Sequence, residues 1–185
     1  MMTGKYRTQW VLLAVLTVVF AAGPVLAGTA AELQRDAGIA LQKLYDRSPA
    51  AKELSKTAKG ILVFPRIVKG GLIIGGQYGE GALFKNGKCT GFYNSVAASY
   101  GLQIGAQTFG YALFLMTEDA VAYLDTSEGF EIGVGPSFVV VDEGMASSLT
   151  TTTAKKDIYA FFFDQGGLMA GLGLQGSKIS PINPE

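Results

Sequence analysis

The spacing of apolar positions changes once along this chain, near Gly60, and that change separates a helical start from a β-rich remainder. Leu33, Ala37, Ala40 or Leu41, and Leu44 recur at helical spacing, while Arg35, Asp36, Gln42, Lys43 and Asp46 fall largely off that stripe. The pattern predicts an amphipathic helix over about residues 30–46. A second helix is predicted behind it. Ser48 suits its N-cap, Pro49 its first turn, and Gly60 the position just past its end. Within it Ala51, Leu54 and Ala58 face one way, and Lys52, Lys56 and Lys59 share the opposite face at i, i+4 and i+7.

After Gly60 the period falls to two, or the apolar residues form short runs. Ile61–Phe64, closed by Pro65, is a strand candidate, and Gly71–Tyr78 is another. Gly81–Lys85 and Lys88–Val96 flank Asn86-Gly87, a two-residue hairpin signal whose turn positions both need positive φ. Tyr100, Leu102, Ile104 and Ala106 alternate with Gly101, Gln103, Gly105 and Gln107, and Tyr111–Met116 continues the apolar pattern. Thr117 can cap a short helix through Glu118–Leu124. Further strands are expected at Phe130–Val134, Ser137–Val141, Ile158–Phe163 and Leu168–Leu174, with residues 177–185 as a tail. The predicted class is α+β: two N-terminal helices packed on a glycine-rich, mostly antiparallel β barrel or sandwich.

Before that domain lies a segment of another kind. Lys5 and Arg7 precede an uncharged apolar run from Trp10 to Ala22, Gly23 and Pro24 break it, and Val25 and Ala27 supply small residues. This is the layout of a signal peptide cleaved near Ala27, which makes residues 1–27 the leader and 28–185 a single exported domain. An uncleaved anchor is the alternative, although the run to Leu26 is near the lower limit for a span and Pro24 interrupts it.

Composition narrows the chemistry. The 185 residues include 25 Gly and no His, so the hydroxyl–imidazole and thiol–imidazole nucleophile systems are excluded and the commonest metal ligand is missing. Cys89 is the one cysteine, which rules out an intrachain disulfide and reads as a small strand residue beside a turn. Residues 28–88 carry 10 basic and 5 acidic side chains, whereas residues 89–185 carry 3 and 10. Such asymmetry suits a surface-binding protein, unless folding interleaves the charges.

The tempting motifs fail on detail. Gly79-Glu80-Gly81 lacks a third glycine and a following helix, and no Gly-Lys-Ser/Thr exists to hold phosphate and magnesium. Turns and strand packing explain the run Gly70-Gly71, Gly75-Gly76, Gly79 and Gly81 better. Gly135-Pro136-Ser137-Phe138-Val139 approaches a nucleophile elbow but lacks its final glycine. Glu118-Asp119, Asp142-Glu143 and Asp157 match no calcium-loop spacing. The lysine stripe, extended by Arg66 and Lys69, carries most: it can meet lipid phosphates, with Ile61, Leu62 and Phe64 as apolar neighbours. A solvated helix face is the plain alternative.

The segment Ala58-Lys59-Gly60-Ile61-Leu62-Val63-Phe64-Pro65, leading into Gly70–Gly81, closely resembles the core motif of the SYLF domain family. Gly101–Gln107 is similar to its next motif, and Gly133–Pro136, Asp157–Tyr159 and Gln165–Ser177 resemble its end. The resemblance implies a non-catalytic lipid-binding module without a cofactor. It carries over to eukaryotic relatives that bind phosphoinositides or actin, and to exported bacterial relatives that bind phospholipid head groups. The expected site is therefore Lys52, Lys56, Lys59, Arg66, Lys69 and Phe64, with anionic phospholipid or a membrane surface as partner and envelope proteins as a further possibility. Nucleic acid is not an expected partner, and export makes actin an unexpected one. The competing readings are an envelope interaction module indifferent to lipid and, last, an enzyme acting through its carboxylates alone.

Overall fold

The computed structural model describes residues 28–71, 74–100, 105–126, 130–131, 135–141, 143–147, 149–167 and 177–185. The leader, the alternation over 101–104, the strand expected at 168–174, residues 132–134 and Asp142 lie outside them.

The chain opens with helix α1 (Ala30–Arg47), fixed at its start by a capping box in which Thr29 and Glu32 satisfy each other's backbone N–H groups. Its stripe Leu33, Ala37, Ala40, Leu41 and Leu44 is buried, as the spacing predicts. Helix α2 (Pro49–Leu54) follows at once, with the Ala51 N–H donating to Ser48 Oγ at 3.2 Å. It ends six residues before Gly60. The Thr57 and Ala58 N–H groups both fold back onto the Leu54 carbonyl, and Gly60 instead begins the first strand.

Eight strands form one sheet: β1 (Gly60–Gly71), β2 (Ile74–Lys85), β3 (Lys88–Tyr100), β4 (Gly105–Leu115), β5 (Phe130–Glu131), β6 (Phe138–Val140), β7 (Ile158–Gly167) and β8 (Lys178–Ile182). The order across the sheet is β5-β8-β3-β2-β1-β4-β7-β6, antiparallel throughout except for the parallel pair β6–β7. The α+β expectation of N-terminal helices on a mostly antiparallel sheet therefore holds. Asn86 and Gly87 adopt φ of 51° and 74° and close the β2–β3 hairpin as their sequence demands. Helix α3 (Glu118–Thr126) is capped by Thr117, whose Oγ1 accepts from the Ala120 N–H at 3.2 Å. A last short helix, α4 (Glu143–Ala146), lies between β6 and β7.

Two expectations change. Pro65 does not close a strand. It sits in a bulge inside β1, where the pairing shifts between Val63 and Arg66 on one side and between Phe64 and Ile67 on the other. A central strand tolerates proline only where the ladder is already interrupted. Residues 177–185 are not a mere tail, because β8 pairs with β3 and holds β5. Ser177 and Ile179 are buried.

The sheet curls strongly. Tyr111 on β4 donates its hydroxyl to Ser95 Oγ on β3 at 2.8 Å, although β1 and β2 lie between them. A flat sheet would hold those strands about 14 Å apart with parallel side chains. The inner face encloses Leu62, Phe64, Ile67, Phe109, Tyr111 and Leu113, closed by Val121 and Leu124 of α3. The outer face carries Ile61, Val63, Ala112, Phe114 and Phe161 under α1 and α2. Glycine makes the curl possible where the bulge leans on β2. A Cβ on Gly81 would lie 2.3 Å from the Val63 carbonyl oxygen, and one on Gly79 would lie 2.4 Å from that of Arg66.

Candidate functional site

Two breaks in regular structure decide where the predicted basic residues point. The first is the early end of α2. Lys52 is on the helix, Lys56 is in the turn after it, and Lys59 is in the bend before β1, so the three do not share a helical face. Lys52 is exposed and makes no ion pair among the described residues. Lys56 is exposed and pairs with Glu53. Lys59 reaches toward α3, with its Nζ 3.7 Å from Glu118 Oε1.

The second break is the bulge at Pro65, which resets the alternation of β1. Arg66 and Val68 then lie on the outer face, while Ile67 and Lys69 lie on the inner one. Arg66 is exposed, stands opposite Glu80, and makes no ion pair among the described residues. Lys69 is half-buried in an inner row between Gln77 and Gln107, both buried. It is therefore drawn away from the surface that Arg66 occupies. The Gln77 amide donates to Ser177 Oγ at 2.9 Å, and Gln107 Oε1 has no partner among the described residues.

Phe64 is corrected outright. It is wholly buried, with its ring centroid 4.7 Å from that of Tyr111. Exposing it to a ligand would forfeit about 1.5–3 kcal/mol of burial. Ile61 and Leu62 are buried as well. The outward-facing set therefore reduces to Lys52, Lys56 and Arg66, with Lys59 at its margin.

Beside Arg66 the outer face carries a groove of about 640 Å³ that sequence reasoning missed. Val68, Tyr78 and Val96 stand directly opposite one another on β1, β2 and β3, and they are 47%, 39% and 44% exposed. Leu33 and Asp36 of α1 form a wall. Tyr78 donates its hydroxyl to Glu80 Oε1 at 2.6 Å. Burial first, and then the bond and charge of Glu80, push the phenol up to about 12, so it stays neutral. The next outer row, Ala106, Gly70, Gly76 and Ala98, projects nothing beyond a Cβ. Only a register of pairing reveals these rows, and no local signal in the sequence states it.

Of the acidic candidates, Asp157 has a structural role. Asp157 Oδ2 accepts from the Ser137 N–H at 2.8 Å and from its hydroxyl at 2.7 Å, which ties β6 to β7. Ser137 is thus engaged at a strand start and forms no elbow. Among the described residues no group of three or more metal-ligating side chains comes together. The two oppositely charged halves also interleave: Arg47 pairs with Asp164 at 2.7 Å, in addition to the Lys59–Glu118 contact. Among the described residues no helix is long and apolar enough to cross a membrane.

Comparison with known families gives a match over residues 96–184 to the family described as Ysc84, Las17-binding protein actin regulator. This is the SYLF family that the motifs resemble, and the resemblance is borne out over the second half of the chain. Domains of this family are generally non-enzymatic binding domains. No curated protein matches the chain.

Proposed function

From a SYLF-type second half joined to an exposed cationic surface, we propose that this protein is an exported, non-enzymatic module that binds anionic phospholipid. The observation that carries the reading is the pair Lys52 and Arg66, both exposed on the side of the sheet that bears the helices and both without an ion pair among the described residues. A cation left uncommitted at a surface is available to a phosphate. Each basic residue near an anionic membrane contributes about 1 kcal/mol. Lys56 adds to that field while exchanging Glu53 for lipid. Lys59 adds less, because Glu118 competes for it.

Export rests on the leader-like run from Trp10 to Ala22 and places the working domain at residues 28–185. An absence of catalysis fits the chemistry described above, in which Asp157 and Ser137 are spent on holding two strands together.

Co-sedimentation with vesicles tests the reading. The protein binds anionic vesicles and not neutral ones, and raising salt from low to moderate weakens the binding. Replacing Lys52, Lys56 and Arg66 together by Glu abolishes most of it. Unchanged binding in that variant would remove the site while leaving the function. No binding of the wild type to either vesicle would remove the function. The family description speaks of a protein partner, so the second reading is a protein-interaction module. Capture of an envelope protein by a form that ignores all vesicles would favour it.

A further inference from the structure

We propose that the outer-face groove between α1 and strands β1–β3 holds a single alkyl chain of a lipid drawn out of its bilayer, lying along Val68, Tyr78 and Val96. This rests on the lipid-binding reading but names an adjoining surface that shares Arg66 alone with the basic residues, and a different chemistry.

The floor is a face of interior strands. β1 and β2 have neighbours on both sides and β3 is paired with β8 as far as Val96, so most of the backbone donors and acceptors along the floor are already paired in the sheet. A peptide segment entering the groove would find few backbone partners and would leave most of its own N–H and C=O groups unsatisfied. An alkyl chain has no such groups to satisfy. A second folded copy of this chain is disfavoured by size. Three part-exposed side chains in a recess fall far short of the roughly 800 Å² that each partner of a stable interface covers. The volume of about 640 Å³ is instead that of a small-molecule site.

The rim charges agree. Asp36 is held by Arg35 at 2.9 Å, and Arg66 faces Glu80 across the strand pair. These four groups sum to no net charge, so the groove does not select an anion, and what it recognises is apolar length. Tyr78 fits the same task, because its hydroxyl is pinned by Glu80 and its ring is left as part of the wall. Beyond it the trough stays open over Gly76. Among the described residues a Cβ placed there meets only the Ala97 carbonyl oxygen, at 3.7 Å, in contrast to the crowded Gly79 and Gly81.

Gly76 therefore supplies the test, since a larger residue fills the trough without displacing the fold. Calorimetric titration with lysophosphatidylcholine, one alkyl chain under a zwitterionic head, is carried out below its micelle-forming concentration. The wild type binds about one molecule, and salt leaves the affinity unchanged. Gly76→Leu weakens that binding at least tenfold, as does Val68→Asp, while both variants keep their binding to anionic vesicles. Failure of the wild type to bind the lysolipid, with vesicle binding intact, overturns the groove and leaves the lipid reading standing. Loss of both kinds of binding in the wild type overturns both. Undiminished lysolipid binding in a folded Gly76→Leu protein places the chain elsewhere and also overturns the groove. A concentration-dependent dimer that Gly76→Leu dissociates would make the groove an interface between copies, again against the proposal.

Discussion

Gly76, Gly79 and Gly81 look alike in the sequence and do different work. Gly79 and Gly81 point inward, where the bulged backbone of β1 occupies the space a side chain would need, whereas Gly76 points outward into an open trough. Gly81→Ala should therefore destabilise the protein by about 1–3 kcal/mol, because the Val63 carbonyl belongs to the backbone and cannot step aside. Gly76→Ala should leave stability within about 0.5 kcal/mol. Paired thermal or denaturant melts check this, and equal losses at the two positions would contradict the assigned directions. Some residues were fully legible in advance. Asn86-Gly87 and Thr117 announce their roles because turn and cap chemistry is local. Lys69 was not legible, since its direction depends on how many residues separate it from a bulge, and a bulge is set by both neighbouring strands. Phe64 was misplaced for a related reason: a short apolar run says that a strand is buried, but not how completely.

At the level of elements, Asp157 joins three. Its carboxylate holds Ser137 at the start of β6 from the start of β7, and the Thr117 hydroxyl that caps α3 lies 3.5 Å from its other oxygen. The hydroxyl and N–H of Ser137 hold this carboxyl below the usual carboxylate range. A lowered folded-state value means that the carboxylate stabilises the fold. That contribution is whole above the unfolded value of about 3.9 and drains away as pH falls through it toward the lower folded value. Asp157→Asn should cost about 1–2 kcal/mol near neutral pH and remove this part of the acid sensitivity. Melting temperatures measured from neutral pH down to about 3 would then fall less steeply in the variant than in the wild type. A parallel decline in both would mean that Asp157 does not carry the effect. Helix α1 was legible from its stripe. The extent of α2 was not, because Lys52, Lys56 and Lys59 satisfy helical spacing equally well whether or not the backbone continues past Leu54. What ends it is the demand of β1 to begin pairing at Gly60.

Across the whole molecule, the helices cover only part of the outer face, and the remainder bears the groove. The basic surface and the groove thus meet at Arg66, the one residue common to both. The class of fold could be read from the change in period near Gly60. The topology could not, because β8 is a short stretch containing Pro181 and shows no alternation to mark it. Among the described residues β5 pairs with Lys178 and Ile179 and not with Pro181, the position at which a proline costs no ladder bond to that strand. Removing residues 178–185 should expose the edge of β3 and convert the protein from a monodisperse species into an aggregating one. Size-exclusion chromatography of the shortened chain checks this, and an unchanged elution profile would show β8 to be dispensable.

The placement of β8 also bears on when the protein can be finished. β5 leaves the ribosome well before β8, yet among the described residues its pairing in the sheet runs through β8 alone. Until the last strand is made, β3 keeps an open edge and β5 has nowhere to dock. A nascent chain therefore completes its sheet only after its final strand has been made.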